Sequence, residues 1–262
     1  MRLKYFLFLL CLIPIALNAQ SPYQLSWKKE SSLLGLGLVT LAGGYYLESQ
    51  TDPLSFEEIS ELNPNDINSF DREAIYNYSV AASDASDVLV VSAHLLPALF
   101  LANKKSKSEF GKIFVLYSET ILTTTGFTKL TKRSTRRTRP FVYNDLASND
   151  RKEEKGARYS FFSGHTSLTT ANYFFAAKVF SDYFPDSKLK PYIWTTAVVV
   201  PALTGYLRVK GGKHYYTDVM TGFAVGALIG YMVPQLHRSD KERSLSLQPY
   251  HNGLILRWAI SK

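Results

Sequence analysis

The sequence contains one cysteine, Cys11, and this residue lies within the first 20 positions. There Arg2 and Lys4 precede an apolar run, and Ala19 offers a small residue at a plausible cleavage position, which is the layout of a secretory signal peptide. An uncleaved first membrane anchor is the alternative. Removal of residues 1–19 would leave a mature chain without a thiol, a disulfide or a thiolate metal ligand.

The sequence also lacks the motifs of several enzyme classes. It has no phosphate-binding P-loop and no dinucleotide fingerprint, and no spacing of histidines and acids resembles a metal site. We therefore predict no metal and no other cofactor. His94, His237 and His251 lie outside every motif and are interpreted as packing or surface residues.

Positive charge is almost missing from residues 48–87, where ten acidic residues face one cation, Arg72. This region is interpreted as a solvated loop with a short helix near 72–79, and a lid over an active site is the functional alternative. Residues 103–112 show the reverse bias, with four lysines against Glu109. A short basic loop between apolar segments is typical of the cytoplasmic side of a membrane.

Hydrophobic residues make up 46% of the chain and charged residues 20%. The apolar residues are bunched into segments of helical length, several of them shorter than the roughly 20 residues of a full membrane span. This pattern predicts an all-α helical bundle, embedded in a membrane through about five to six short helices; a soluble bundle is the alternative. The segments are Leu33–Leu47, Val88–Ala102, Ile113–Phe127, Leu168–Phe180, Tyr192–Val209 and Val219–Leu236.

Three separated stretches carry candidate catalytic groups. In the third stretch, His214 and Asp218 are four residues apart and would share one face of a helix. The carboxylate could then accept the Nδ1 hydrogen of the imidazole and leave Nε2 free as a nucleophile or base. Arg208 precedes them across a Gly-Gly turn and could hold an anion.

The two earlier stretches supply further groups for an anion. Lys132 is followed by Arg139-Pro140, and Ser163-Gly164-His165 stands just before an apolar helical run. Ser163 is a good N-cap, and the amide groups at a helix start can bind phosphate oxygens. Each of these residues also has a purely structural alternative. Lys132 and Arg139 could be a basic helix flank, Ser163 a simple helix cap, and His165 a structural histidine.

These three stretches resemble the signature of the type 2 phosphatidic acid phosphatase and vanadium haloperoxidase superfamily. The matching positions are Lys132, Arg139 and Pro140, then Ser163, Gly164 and His165, then Arg208, His214 and Asp218, in the expected order, and the resemblance covers roughly residues 85–236. Phe162 replaces the usual proline before Ser-Gly-His, and Leu207 replaces the usual serine before the arginine.

The resemblance implies a role for each residue. His214 would be the nucleophile that forms a phosphohistidine, Asp218 would orient it, and His165 would protonate the leaving alcohol. Lys132, Arg139, Ser163, Gly164 and Arg208 would bind the phosphate. One histidine should be neutral and the other charged. The neighbouring cations Arg133, Arg136 and Arg137 are interpreted as head-group contacts or surface residues.

The implied function is metal-independent hydrolysis of a lipid phosphate or diphosphate monoester. Candidate substrates are a phospholipid such as phosphatidic acid or phosphatidylglycerol phosphate, a polyprenyl diphosphate such as undecaprenyl diphosphate, and a lipid A phosphate, with no nucleic-acid partner. A soluble periplasmic acid phosphatase of the same superfamily is one alternative. A non-catalytic membrane protein that binds anionic lipid is another.

The predicted organisation has four parts: a signal peptide at 1–19, an apolar segment with an acidic extracytoplasmic region at 20–87, a phosphatase helical core at 88–236, and a tail at 237–262. Asn252-Gly253 in the tail predicts a small β-hairpin. Placing the basic loop in the cytoplasm puts all three motif loops on the periplasmic face of a bacterial inner membrane, provided that the apolar segment at 33–47 lies at the interface and does not span. If that segment spans and the signal peptide is cleaved, the motif loops would lie in the cytoplasm.

Overall fold

The computed structural model describes residues 21–239, 244–250 and 253–259. The predicted signal peptide, with Cys11, lies outside the described residues. Helices form nearly all regular structure between residues 21 and 239, which confirms the predicted all-α bundle. The α-helices are α1 (Trp27–Ser49), α2 (Phe56–Ser60), α3 (Ser69–Arg72), α4 (Val80–Ala93), α5 (Lys104–Ser108), α6 (Phe110–Thr135), α7 (Asn149–Lys152), α8 (Gly164–Tyr183), α9 (Lys190–Lys210) and α10 (Tyr216–Leu236).

Short 3₁₀ helices connect these elements at Pro64–Asp66, Glu73–Tyr76, Leu96–Ala102, Pro140–Tyr143 and Lys155–Arg158. Two tail strands, β1 (Ser244–Tyr250) and β2 (Gly253–Ala259), pair antiparallel with Tyr250 opposite Gly253. The helix predicted to begin at Val88 begins at Val80, and the region before it contains several short helices where a loop with one short helix near 72–79 had been expected.

A stripe of glycines brings α10 against α8. Gly222, Gly226 and Gly230 recur every four residues, so they share one face of the helix. A Cβ added at Gly222 would lie 2.6 Å from the carbonyl oxygen of Ser163, and one at Gly230 would lie 2.5 Å from that of Ala171. Only glycine permits this approach, and the approach places the first turn of α10 beside Ser163.

A second close contact joins α1 to α6. A Cβ added at Gly37 would lie 2.7 Å from a side-chain carbon of Leu122, and one at Gly126 would overlap Thr40. Residues 27–49 therefore form one helix of the bundle, of which the apolar segment at 33–47 is the middle.

The interior of the bundle is unusually polar and its exterior is apolar. The buried side chains on α6 include Glu119 and four threonines, and those on α8 include a serine, three threonines and an asparagine. Large apolar side chains are exposed on α1, α4, α9 and α10, among them Val39, Val88, Val91, Val199, Leu203, Met220 and Leu228. A water-soluble bundle normally has the opposite distribution.

By length and hydropathy, two of the described segments could cross a membrane, Val80–Ala102 and Tyr216–Leu236. Both contain one of the apolar segments singled out above. The other four predicted segments lie in helices that do not meet the same criterion, so the predicted number of five to six spans is not confirmed.

Candidate active site

The turn between α9 and α10 presents the third motif. Gly212 has a positive φ of 67°, and a Cβ there would collide with the carbonyl oxygen of Asn77. The amides of Gly212 and Lys213 donate to the carbonyls of Val209 and Arg208, at 2.9 and 3.0 Å. This turn reverses the chain, so that Arg208 in the last turn of α9 lies near the residues that begin α10.

Ser163 caps α8, as the sequence predicts. Its hydroxyl accepts from the amide and the hydroxyl of Thr166, at 3.4 and 2.9 Å. Its own amide donates to the main-chain oxygen of Asp218 at 3.0 Å. The Ser163 amide therefore holds α8 to α10 and is not free to bind the phosphate, whereas the Gly164 amide at the start of α8 stays a candidate donor.

The two cations of the first motif hold the loop that precedes Ser163. Lys132, in the last turn of α6, donates from Nζ to the carbonyls of Tyr159 and Ser160, at 2.8 and 3.0 Å. Arg139 donates from Nε to the carbonyl of Gly156 at 3.0 Å. Another guanidinium nitrogen of Arg139 lies 3.5 Å from the carbonyl of Lys213, which links the first motif to the third.

His165 and Arg208 both contact the carboxylate of Asp87, a residue that the sequence analysis did not predict for the site. The Oδ1 atom of Asp87, on α4, lies 2.7 Å from His165 Nε2 and 3.1 Å from an Arg208 guanidinium nitrogen. Arg208 is buried and also contacts the hydroxyl of Ser86 at 3.1 Å. The Asp87 side chain is 54% exposed, so its carboxylate lies at the open side of the site.

His214 and Asp218 are close, but they do not share a helix. Since α10 begins at Tyr216, His214 precedes it and Asp218 lies in its first turn. The His214 Nδ1 atom is 3.5 Å from Asp218 Oδ2 and has no hydrogen-bond partner. The one-turn helical geometry expected from the i,i+4 spacing is therefore wrong, although the two side chains are neighbours.

The carboxylate of Asp218 is held by three donors. Its Oδ2 atom accepts from the Ser160 hydroxyl at 2.5 Å and from the Tyr215 amide at 2.9 Å. Its Oδ1 atom pairs with the Arg137 guanidinium at 2.7 Å. Because Asp218 is fully buried, these contacts compensate the loss of hydration of its charge.

Arg137 is a structural partner where the sequence suggested a head-group contact. Its guanidinium also pairs with Asp71 at 2.7 Å, and Asp71 accepts from the amide of Thr217 at 2.9 Å. Asp71 belongs to the acidic region at 48–87 and is fully buried. Part of that region is thus packed against the start of α10, a contact that no spacing in the sequence indicates.

The clustered cations act on both histidines. Burial and the positive charges of Arg208, Arg139 and Lys132 lower the pKa of His165 to about 3. Burial lowers the pKa of His214 well below its ordinary value, and the same three cations act in the same direction. In the protein alone both rings are therefore neutral at pH 7, whereas the sequence predicted one neutral and one charged histidine.

All eight predicted site residues thus lie at one end of the bundle, connected through the loops that follow α6 and precede α8 and α10. The structure adds four residues to them: Asp71, Asp87, Arg137 and Ser160. An acid next to an apolar helical run was the one available signal for Asp87.

Part of the chain is similar in sequence to known proteins. A sequence profile of the PAP2 superfamily matches residues 113–242. The lipid A 4'-phosphatase of Porphyromonas gingivalis is 34% identical over 102 residues, 38% of this chain and 40% of that protein. Phosphatidylglycerophosphatase B of Bacillus subtilis is 36% identical over 76 residues, 29% of this chain and 37% of that protein. The matches thus span about two fifths of the length of these relatives.

A solved structure, that of the transmembrane PAP2 type phosphatidylglycerolphosphate phosphatase from Bacillus subtilis, has a TM-score of 0.46 and 20% identity to this chain. The alignment covers 79% of this chain and 95% of that one.

The ion pairs of Arg137 generate a prediction. Arg137→Gln would leave two buried carboxylates, Asp71 and Asp218, without their shared cation. We expect a loss of about 3 kcal/mol in the free energy of unfolding, the lower end for a broken buried ion pair because Arg137 is itself a quarter exposed. Activity at temperatures where the variant is folded should fall about 10- to 100-fold, because Asp218 is displaced.

The matched control is Arg136→Gln, which removes the same charge from the neighbouring exposed position. Thermal unfolding and phosphate release should both stay close to wild type. Equal losses in the two variants would show that net charge, and not the Asp71–Arg137–Asp218 contacts, accounts for the effect.

Proposed function

We propose that this chain, whose residues 113–242 match a sequence profile of the PAP2 superfamily, is a phosphatase that hydrolyses a lipid phosphate or diphosphate monoester. The observation that carries the proposal is the convergence of Lys132, Arg139 and Arg208 on His165 and His214. The transition state of phosphoryl transfer spreads negative charge over three equatorial oxygens, and catalysis depends on placing positive groups around it.

In the proposed reaction, a bond forms between His214 Nε2 and phosphorus while the bond from phosphorus to the leaving-group oxygen breaks. His165 donates the proton that the leaving alcohol needs. Water then attacks the phosphohistidine and gives a proton to His165, which the first step left deprotonated; the bond from phosphorus to nitrogen breaks and inorganic phosphate leaves. Asp218, 3.5 Å from Nδ1, steadies the positive charge that His214 gains when it is phosphorylated.

The phosphate itself would adjust the histidines. It brings close to two negative charges, and negative charge favours the protonated ring, so binding raises both pKa values from their lowered positions. The leaving-group oxygen takes the place of the Asp87 carboxylate at His165 Nε2, which the exposure of Asp87 permits. Arg208 then exchanges one anionic partner for another.

The apolar exterior supports a membrane setting and hence a lipid substrate. Exposed valines and leucines on α4, α9 and α10 would face acyl chains, and the polar interior would remain within protein. The soluble acid phosphatase alternative leaves these surfaces without a partner. The two curated relatives act, by their names, on lipid A and phosphatidylglycerophosphate, so these two phosphates join phosphatidic acid and undecaprenyl diphosphate in the substrate panel.

We further propose that the site faces the periplasm. The basic residues 104–112 lie at the start of α6, and Lys132 lies near its end. The helix has 26 residues and is therefore about 39 Å long at 1.5 Å per residue. The basic loop and the site are thus at opposite ends, as an inward loop and an outward site require.

A test of substrate class uses the purified full chain in detergent with EDTA present. We expect phosphate release from at least one lipid of the panel, no stimulation by Mg²⁺, and inhibition by orthovanadate, which can take the geometry of the transition state. Activity that EDTA abolishes and Mg²⁺ restores would contradict the metal-independent chemistry. Faster turnover of soluble phosphoesters than of every lipid would favour the acid phosphatase alternative.

The orientation is tested with reporters fused after residue 262. We expect a C-terminal alkaline phosphatase fusion to be inactive and a fluorescent cytosolic reporter to be active, because the tail would lie in the cytoplasm. The reverse pattern would place the site in the cytoplasm and leave the chemistry unaffected.

The roles of the two histidines are tested with leaving groups. His165→Ala should recover part of its activity on p-nitrophenyl phosphate, whose leaving group needs little protonation, whereas His214→Ala should not. Asp218→Asn should lose most activity because it disturbs His214. Rapid quench with ³²P-labelled substrate should trap acid-labile, base-stable label in wild type. Label that persists in His214→Ala would show that the two roles are reversed.

A further inference from the structure

A second cluster of ionisable side chains lies far from the candidate active site. It comprises Glu30 in the first turn of α1, Glu119 in α6, and His237, which directly follows α10. His237 comes nineteen residues after Asp218, and 1.5 Å per helical residue puts about 28 Å between them. No spacing in the sequence predicts this cluster, because its members are separated by 89 and 118 positions.

The hydrogen-bonding of His237 leaves a lone pair facing two carboxylates. Its Nδ1 atom lies 2.8 Å from the carbonyl oxygen of Val233, and since a carbonyl only accepts, Nδ1 carries the hydrogen. In the neutral ring Nε2 is then an acceptor. This atom lies 3.2 Å from Glu30 Oε1 and 3.4 Å from Glu119 Oε2, so three acceptors point at one another.

Within the described part of the chain, no donor forms a hydrogen bond with Glu119. Neither of its carboxylate oxygens has a hydrogen-bond partner, and Nε2 of His237 has none either. Both residues are fully buried. Buried polar groups are almost always paired, and an unpaired buried carboxylate is costly. The cluster therefore requires a proton or a metal cation between its three facing atoms.

We propose that Glu30, Glu119 and His237 supply three ligands for a divalent transition metal of the Zn²⁺ type, with a water molecule as the fourth ligand of a tetrahedral site. In a tetrahedral zinc site the ligand atoms lie about 2.0–2.1 Å from the metal, and hence about 3.3–3.4 Å from one another. The two distances from His237 Nε2, 3.2 and 3.4 Å, agree with this spacing. The Glu30 and Glu119 atoms also lie within 4.8 Å of each other.

The surroundings of the ligands support the same reading. A metal-binding histidine commonly donates its other ring hydrogen to a backbone carbonyl, as His237 does to Val233. The second ligand, Glu30, accepts through Oε1 from the Ser26 amide at 2.8 Å. The main chain is fixed as well, since the amide of Gln24 donates to the carbonyl of His237 at 2.8 Å. The site would clamp the start of α1 to α6 and to the end of α10.

The experiment uses the full chain, purified in detergent with a tag that contains no histidine. Elemental analysis after growth with added zinc should find about one zinc per chain. Replacement by Co²⁺ should give the intense visible bands of a tetrahedral site. In Glu119→Gln and His237→Gln the metal content should fall at least tenfold and the bands should disappear. EDTA should lower the melting temperature of wild type and leave that of His237→Gln unchanged.

The matched control is His94→Gln. The Nδ1 atom of His94 also contacts the carbonyl four residues earlier, Val90, at 2.7 Å, but His94 is exposed. This variant should keep its zinc.

Wild type without stoichiometric zinc and without the cobalt bands would overturn the proposal and would assign the positive charge to protons on His237 and Glu119. Zinc content in His237→Gln equal to wild type would overturn it equally. Because the wild-type measurements decide on their own, a variant that fails to fold does not weaken the test. Phosphate release by folded His237→Gln should match wild type, since the cluster is about 28 Å from Asp218.

Discussion

The candidate active site depends on one buried carboxylate, that of Asp218. Its side chain accepts from Ser160, Tyr215 and Arg137, and its main-chain oxygen accepts from Ser163. These contacts join the loop before α8, the start of α10 and the segment after α6. Because the carboxylate is fully buried, each donor is needed to offset the loss of hydration, so all three loops are fixed by the same group.

That anion is outnumbered by the cations around it. Lys132, Arg139 and Arg208 are positioned by main-chain carbonyls and by Asp87, and they repel one another and any protonated histidine. Burial is the largest cause of the lowered pKa values of both histidines, and repulsion from these cations lowers them further. Cations that the fold holds together in this way favour the binding of an anion, because the bound anion offsets the repulsion between them.

The sequence predicted the residues whose spacing within the chain carries information and missed those that meet only in three dimensions. Ser163 as a helix cap and the turn at Gly211-Gly212 follow from local chemistry, and the helical bundle follows from the apolar segments. The contacts of Asp87 and Asp71 could not be predicted, because they join α4 and α3 to motifs more than 60 residues later. The predicted start of α10 was also wrong. Because α10 begins after His214, this residue and Asp218 are not one helical turn apart, although four positions separate them.

The two polar centres of the bundle lie at the two ends of α10, and their charge requirements are opposite. The aligned peptide dipoles give a helix about half a positive charge at its first turn and half a negative charge at its last. The first turn contains Asp218 and adjoins the cations that favour a bound phosphate, and His237 follows the last turn beside two carboxylates that favour a bound cation. The glycines at 222, 226 and 230 bring the body of the helix against α8. A single helix, packed closely against α8, therefore holds both the end proposed to bind phosphate and the end proposed to bind a cation.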